Sequence, residues 1–124
     1  MDRVPFRATA GSSLYQDLRL PVTILLDNVR SMYNVGSFFR TGDGAGIEKL
    51  ILSGITARPP HKGIAKTALG AEERVQWFGA KDSLEHIQSL RSIGYEITAM
   101  ETSNRAVDIF DWQPRFPACV LFGH

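Results

Sequence analysis

The chain has 124 residues, which suits one domain, and its 44% hydrophobic and 22% charged residues are typical of an ordinary globular protein. A single cysteine excludes an internal disulfide framework, and no apolar run is long enough to cross a bilayer. The charged N-terminus, broken by Pro5, does not resemble a signal peptide, which favours the cytoplasm and no membrane partner.

Charge is uneven along the chain. Residues 1–66 contain nine basic and five acidic side chains, whereas residues 67–124 contain five basic and eight acidic ones. The basic half gives mild support for an anionic partner, although random surface variation explains the charge equally well. The net charge of +1 is far from the strongly basic signature of an autonomous nucleic-acid module.

Residues 1–20 are polar and lack a convincing period, and we interpret them as an N-terminal arm. Residues 21–124 then form the predicted domain. Its first element, Pro21–Leu26 (PVTILL), is apolar on both faces, as expected for a central parallel strand. Asp27 and Asn28 end this strand.

A helix is predicted after the loop 29–33, with Asn34 as its N-cap because an amide side chain accepts a hydrogen bond from a free helical N–H. The residues expected to form its buried stripe are Val35, Phe38, Phe39 and Ala45. Gly36, Ser37 and Arg40 are expected on the other side. A glycine one turn below an arginine offers a shallow patch for a phosphate or ribose, but a plain surface arginine is the alternative, and spacing alone favours it.

Three spaced glycines, Gly42, Gly44 and Gly46, close this helix before the strand Glu48–Gly54. A dinucleotide-binding fingerprint follows a strand and opens a helix, so this order disfavours one. We interpret the three as a helix exit with positive φ angles.

Ile55–Thr67 is predicted to be a long loop, because Pro59-Pro60 interrupts regular structure. Its potential cations are Arg58, His61, Lys62 and Lys66, and such a group suits an RNA or DNA backbone. His61 has no cysteine or carboxylate at metal-ligand spacing, so no metal site is predicted.

The remaining elements follow the apolar pattern. They are a helical turn over Ala68–Arg74, a strand over Val75–Phe78, an amphipathic helix over Lys81–Ile93 stopped by Gly94, a strand over Tyr95–Met100, a short connection over Val107–Trp112 and a strand over Pro117–Phe122. Cys119 falls in the last strand and is predicted to be a buried, inert thiol. No crossover helix follows that strand, so we expect one uncovered sheet face, with a longer natural domain or a partner completing it.

Residues 26–54, LDNVRSMYNVGSFFRTGDGAGIEKLILSG, resemble the first motif of the SpoU (TrmH) family within the SPOUT, or α/β-knot, RNA methyltransferases. The matching residues are Asn34, Gly36, Arg40, Thr41 and Gly46. The end, FPACVLFGH, resembles the start of the family's second motif, an apolar strand running into a glycine. The resemblance implies a Rossmann-like α/β fold, a mostly parallel sheet with flanking helices. The glutamate of the second motif and all of the third motif are missing, so we expect the knot region to be absent from this chain.

What the resemblance implies is an S-adenosylmethionine-dependent 2′-O-methyltransferase of tRNA or rRNA ribose, a homodimer in its full-length form. Arg40 corresponds to the proposed catalytic arginine, as base for the 2′-hydroxyl or as its positioner, and Asn34 shapes the substrate site. The residues that correspond to strand ends meeting the methyl donor are Met100, Glu101, Thr102 and Gly123. The candidate RNA contacts are Arg30, Arg58, Lys62 and Lys66.

Two other functions stay open. One is a non-catalytic RNA-binding or assembly module derived from the same fold. The other is a generic Rossmann-like nucleotide binder, which the placement of the glycines disfavours. Without the knot, we expect these 124 residues to bind S-adenosylmethionine poorly and to show no turnover.

Overall fold

The computed structural model describes residues 19–100 and 113–123. Within these ranges the elements in chain order are β1 (Leu20–Asp27), α1 (Met32–Ala45), β2 (Ile47–Ser53), α2 (Lys62–Ala68), a 3-10 helix (Ala71–Glu73), β3 (Trp77–Ala80), α3 (Ser83–Ser92), β4 (Glu96–Met100) and β5 (Ala118–Gly123). Strands alternate with helices, which is the pattern of an α/β domain.

The five strands form one sheet in the order β3-β2-β1-β5-β4, and every pairing is parallel. β1 lies in the centre, with Leu26 opposite Leu52 of β2 on one side and Phe122 of β5 on the other. This position explains why the strand is apolar on both faces. The prediction of a parallel sheet with flanking helices is confirmed.

Side chains of β1 alternate between two cores, as the period of a strand requires. Leu26 packs with residues of α1 and α2 on one face, whereas Leu25 packs with Leu90 of α3 on the other. Both faces therefore carry a helix, which corrects the expectation of a bare face. Cover is thinner on the α3 face, where several apolar side chains are only partly buried: Ile87, Tyr95, Ile97 and Leu121.

The start of α1 differs from the prediction. Ser31 is the N-cap, and its hydroxyl oxygen accepts a hydrogen bond from the Asn34 N–H at 3.2 Å. The helix therefore begins at Met32, and the assignment of Asn34 as N-cap is wrong. A serine three residues earlier supplies the same kind of acceptor.

At the other end of α1, Gly46 has φ +75° and its N–H donates to Gly42 O and Asp43 O. Gly46 is the predicted left-handed exit. Gly42 and Gly44 lie within the helix, so their predicted place in the exit is wrong. Ala45 is exposed rather than part of the buried stripe.

Gly36 is buried between α1 and α2, which corrects its predicted place on the open side of the helix. A Cβ atom on Gly36 would lie 2.1 Å from Thr67 Oγ1 and 2.3 Å from the carbonyl oxygen of Ile64. Only glycine permits so close a contact between the two helix backbones. The shallow patch expected beneath Arg40 is therefore filled by α2.

The long loop predicted over 55–67 is shorter, because Lys62–Ala68 is helical. His61 caps this helix through Nδ1, which accepts from the Gly63 N–H at 3.0 Å. The predicted turn over 68–74 contains the 3-10 helix, and the strand predicted from Val75 begins two residues later, at Trp77.

The later elements agree closely with prediction. Asp82 caps α3 by accepting from the Leu84 N–H at 2.9 Å, and Gly94 follows the helix with φ +101°. β4 and β5 lie within the ranges predicted for them, apart from Gly123. Most of the N-terminal arm and the connection 107–112 lie outside the described residues. In the part of the chain that is described, every helix is too short or too polar to cross a membrane.

Candidate functional site

The carboxyl ends of the strands lie side by side along one edge of the sheet. Asp27 at the end of β1 is level with Ser53 of β2 and with Gly123 of β5, and Met100 of β4 is level with Phe122. In open α/β sheets, ligands bind outside this edge. The loop 29–33, which the sequence predicts after the first strand, starts at this edge, and the structure brings four strand ends together.

A polar cluster that the sequence does not predict joins three elements at this edge. The Ser83 hydroxyl of α3 lies 2.6 Å from Asp27 Oδ1 and 2.6 Å from Ser53 Oγ. A hydroxyl has one proton and two lone pairs, so it can donate to the carboxylate and accept from Ser53. The cluster lines a cavity of about 430 Å³. Its only sequence signal is a serine directly after the Asp82 cap.

The loops that follow β1 and β2 are tied to each other. Asn28 has φ +53°, and its Oδ1 accepts from the Ile55 N–H at 2.9 Å. The buried Thr56 hydroxyl donates to Leu26 O at 3.0 Å and accepts from the Val29 N–H at 3.0 Å. These bonds fix the chain that leads into α1.

Asn34 is exposed in the first turn of α1. Phe38 lies one turn later on the same side of the helix, and its ring packs on Phe122 of β5 with 4.7 Å between centroids. Because α1 runs antiparallel to the strands, Asn34 lies beyond Phe122 towards the end of β5. The candidate substrate residue and the end of this strand therefore lie at the same edge of the sheet.

Arg40 is exposed two turns further along α1. A helix turns about 100° per residue, so the side chains of Asn34 and Arg40 leave the axis in directions about 120° apart. Arg40 shares its stripe with Tyr33 instead. Among the described residues, no hydrogen bond or ion pair holds its guanidinium group. It is therefore available to an external anion.

The four candidate RNA contacts have different surroundings. Lys62 and Lys66 are exposed four residues apart on α2, which places them on one face. Arg58 instead lies over β3, with Nη2 3.5 Å from Ala80 O and its guanidinium against Gly79. Arg30 is exposed in the loop before α1. The structure brings the two lysines together and holds Arg58 apart at the β3 edge.

Comparison with known proteins identifies the family. The family model described as SpoU rRNA Methylase matches residues 21–124 of this chain. The chain belongs to the SpoU rRNA methylase family. This confirms the resemblance drawn from the first motif.

Relatives and solved structures agree with this membership. A Staphylococcus haemolyticus protein described within the TrmH family of tRNA/rRNA methyltransferases is 26% identical over 104 residues, covering 84% of this chain and 41% of that protein. The A. aeolicus TrmH/SpoU tRNA modifying enzyme has a TM-score of 0.75 at 18% identity, covering 86% of this chain and 53% of that one. An AdoMet-bound rRNA methyltransferase from Sinorhizobium meliloti has a TM-score of 0.73 at 24% identity, covering 86% and 41%.

At these identities the solved structures establish the fold alone, and they confirm the predicted Rossmann-like α/β class of the SpoU and TrmH enzymes. The SpoU family chain spans less than half of the length of its Staphylococcus haemolyticus relative.

Two of the four strand-end residues that resemblance assigns to the cofactor are described. Met100 and Gly123 end the adjacent strands β4 and β5, and Gly123 is exposed. Among residues 19–100 and 113–123, a Cβ atom on Gly123 would meet only Asp27 O, at 3.9 Å, so these residues leave space for a ligand over this backbone. In this SpoU family chain, Met100 and Gly123 are therefore placed to meet a cofactor that binds against the backbone at the strand ends. Glu101 and Thr102 lie outside the described residues.

Among the described residues, the two groups with shifted pKa values, Tyr95 and Cys119, lie at the opposite edge of the sheet, near the amino ends of β4 and β5. Burial raises the pKa of the Cys119 thiol to about 11, which confirms a buried thiol that stays protonated near neutral pH. Burial, and then the hydrogen bond and charge of Glu48, raise the pKa of Tyr95. Across the described part of the chain, no group of three or more His, Cys, Asp or Glu side chains has the arrangement of a metal site.

Proposed function

We propose that this SpoU family chain is part of an S-adenosylmethionine-dependent RNA methyltransferase that acts on the ribose 2′-hydroxyl of tRNA or rRNA. The observation that carries the proposal is the position of Asn34. It lies on exposed helix surface at the edge of the sheet where β5 ends, and the described residues leave the backbone of Gly123 open at that edge. An RNA ribose near Asn34 and a cofactor at the strand ends would be neighbours.

S-adenosylmethionine supplies an electrophilic methyl group when it is bound. The rRNA methyltransferase from Sinorhizobium meliloti, which shares this fold, has AdoMet bound. In this chain, Met100 and Gly123 would hold the group through strand-end backbone, together with Glu101 and Thr102. The space that the described residues leave over the Gly123 backbone supports this assignment.

We assign Arg40 to positioning rather than to proton abstraction. A guanidinium group stays protonated in proteins, so it is a poor base. Its fork of N–H donors can bind two phosphate oxygens at once and so fix the adjacent ribose. Much of the catalysis of a methyl transfer comes from such orientation. The exposed guanidinium of Arg40, without a partner among the described side chains, supports this role.

Other parts of the proposal concern the whole protein. We propose that residues 1–20 form an arm, that residues 21–124 form the methyltransferase domain, and that the full-length form is a homodimer. Cytoplasmic tRNA or rRNA would be the substrate. Arg30, Lys62 and Lys66 would contact its backbone, and Arg58 would do so from the β3 edge.

The test is methyl transfer from labelled S-adenosylmethionine to bulk tRNA and rRNA by the full-length form, followed by nucleoside analysis. We expect label on the ribose 2′-oxygen. Arg40→Ala should lower kcat by about 100-fold, the size of loss that misplaced reactants produce. Arg91→Ala, which removes an exposed arginine of α3, is the matched control and should keep full activity.

Three results would contradict the proposal. Label on a base would exclude 2′-O chemistry, and equal activity of Arg40→Ala and wild type would remove Arg40 from the mechanism. RNA binding without any transfer would favour the non-catalytic module instead.

A further inference from the structure

We propose that Tyr33 and Lys66 form a stacking platform for an unpaired base of the RNA, a contact that rests on the proposed function and extends it. Tyr33 lies in the first turn of α1 and is 52% exposed. Within the described ranges its hydroxyl group has no hydrogen-bond partner. A ring that faces solvent is available to a ligand with a flat apolar face.

The backbone that carries the Tyr33 ring is tied to α2 before any ligand binds. The carbonyl oxygen of Tyr33 accepts hydrogen bonds from Thr67 Oγ1 at 2.7 Å and from Ser37 Oγ at 3.1 Å. The first bond ties the turn that carries the ring to α2, and Gly36 brings the two helices together just beyond it. A preorganised contact loses less conformational entropy on binding, which favours affinity.

One ammonium group lies over the ring, and two further cations lie on the same faces of the two helices. Lys66 Nζ lies 6.0 Å from the centroid of the Tyr33 ring. Lys62 is one turn earlier on the same face of α2, and Arg40 is two turns along α1 on the stripe of Tyr33. Of the exposed aromatic side chains in residues 19–100 and 113–123, Tyr33 alone has an ammonium group over its ring.

This combination suits a nucleotide. Each base has a π-face that stacks on an aromatic ring, and the phosphate next to it pairs with lysine or arginine. Bases in a duplex are already stacked on their neighbours, so the platform should select single-stranded or looped RNA. Because Arg40 lies on the same stripe, the stacked base would be close to the target nucleotide.

The test is binding of this chain to a fluorescent single-stranded RNA oligonucleotide and to the corresponding duplex, by anisotropy at several salt concentrations. Tyr33→Leu should weaken single-strand binding about fivefold or more, the conversion of one stacking contact, and leave duplex binding unchanged. Tyr33→Phe keeps the ring and should stay within about twofold of wild type. Lys66→Gln should reduce the salt slope by about one.

Phe78→Leu is the matched control, because it removes an exposed ring from β3, away from α1. Equal single-strand affinity of Tyr33→Leu and wild type would overturn the platform, as would equal losses on single strand and duplex. A loss of self-association in sedimentation, with RNA affinity intact, would assign Tyr33 to a contact between copies of the chain and overturn the inference too. Absence of any RNA binding would overturn it as well.

These outcomes are separate from those of the transfer experiment. A full-length enzyme that methylates the 2′-oxygen equally well with and without the Tyr33 ring would retain the proposed function and lose the platform.

Discussion

The backbone of Gly36 lies against the carbonyl oxygen of Ile64, so close that a Cβ atom on the glycine would be only 2.3 Å away. This contact joins α1, which carries the candidate catalytic arginine, to α2, which carries two candidate RNA lysines. The glycine that belongs to the family motif therefore permits the close packing of the two helices. Its position keeps α1 and α2 in direct contact.

Replacing Gly36 by alanine should lower the free energy of unfolding by about 1–3 kcal/mol, because the added methyl group meets backbone that cannot yield without moving α2. Gly44→Ala in the same helix is the matched control, since no described residue outside its own helical turn lies within 4 Å of its Cβ position. It should raise the free energy by about 0.5–1 kcal/mol through helix propensity. Urea unfolding of both variants checks this, and equal stabilisation of both would refute the close contact.

Asn28 adopts a left-handed backbone conformation and accepts a hydrogen bond from Ile55. Asn28→Ala should lower the free energy of unfolding by about 1–2 kcal/mol. The alanine keeps the steric cost of a Cβ atom at φ +53° but loses the hydrogen bond that offsets this cost. Asn28→Gly removes the bond without the steric cost and should lose less. Thermal unfolding gives the order, and an equal loss in both variants would argue against backbone strain.

The Ser83 hydroxyl is the partner of a fully buried hydroxyl, that of Ser53. Ser83→Ala should therefore cost about 1–3 kcal/mol, the penalty of leaving a buried polar group unpaired. Ser89→Ala, at an exposed position of α3, should change stability by less than about 0.5 kcal/mol. Chemical unfolding at neutral pH measures both, and indistinguishable midpoints would show that Ser53 has another partner.

The free energy of unfolding should fall in alkali because of Cys119. Burial raises the pKa of this thiol from 9.0 to about 11. Below pH 9 both the folded and the unfolded chain hold this proton. Between pH 9 and 11 the unfolded chain releases it and the folded chain retains it, so the free energy of unfolding falls by up to about 1.4 kcal/mol per pH unit. Cys119→Ala should remove this part of the slope, and parallel pH profiles of variant and wild type would contradict the raised pKa.

The strands were predictable because their apolar runs are short, continuous and bounded by polar residues. Pro21–Leu26 was predicted and Leu20–Asp27 is observed, a difference of one residue at each end. Such runs report burial on both sides, which a central parallel strand experiences along its whole length.

α2 was not predictable in the same way. Its seven residues follow two prolines and include Gly63, so local propensity indicates a loop. The helix is stabilised by packing against Gly36, which is distant in sequence. The sequence pattern places Gly36 on the exposed side of the helix, because a glycine has no apolar side chain to mark it as buried. The contact with α2 is what buries it.

The candidate site likewise has parts that local sequence predicts and parts that depend on contacts between distant residues. Asn34 and Arg40 lie on α1, in agreement with the sequence, and the opening into the strand ends depends on pairing between distant strands. Tyr33 has no local signal at all. Its importance becomes visible only once α2 places Lys66 over the ring.

The sheet order has a consequence for synthesis of the chain on the ribosome. β5 is made after the other four strands, yet it lies between β1 and β4 and supplies the strand hydrogen bonds that join them. Until Ala118–Gly123 leaves the exit tunnel, β1 lacks its second neighbour and β4 has no strand neighbour among the described residues. The nascent five-stranded sheet therefore closes from its two ends inwards, and the hydrogen bonds that join its halves form at the strand that borders the proposed cofactor position.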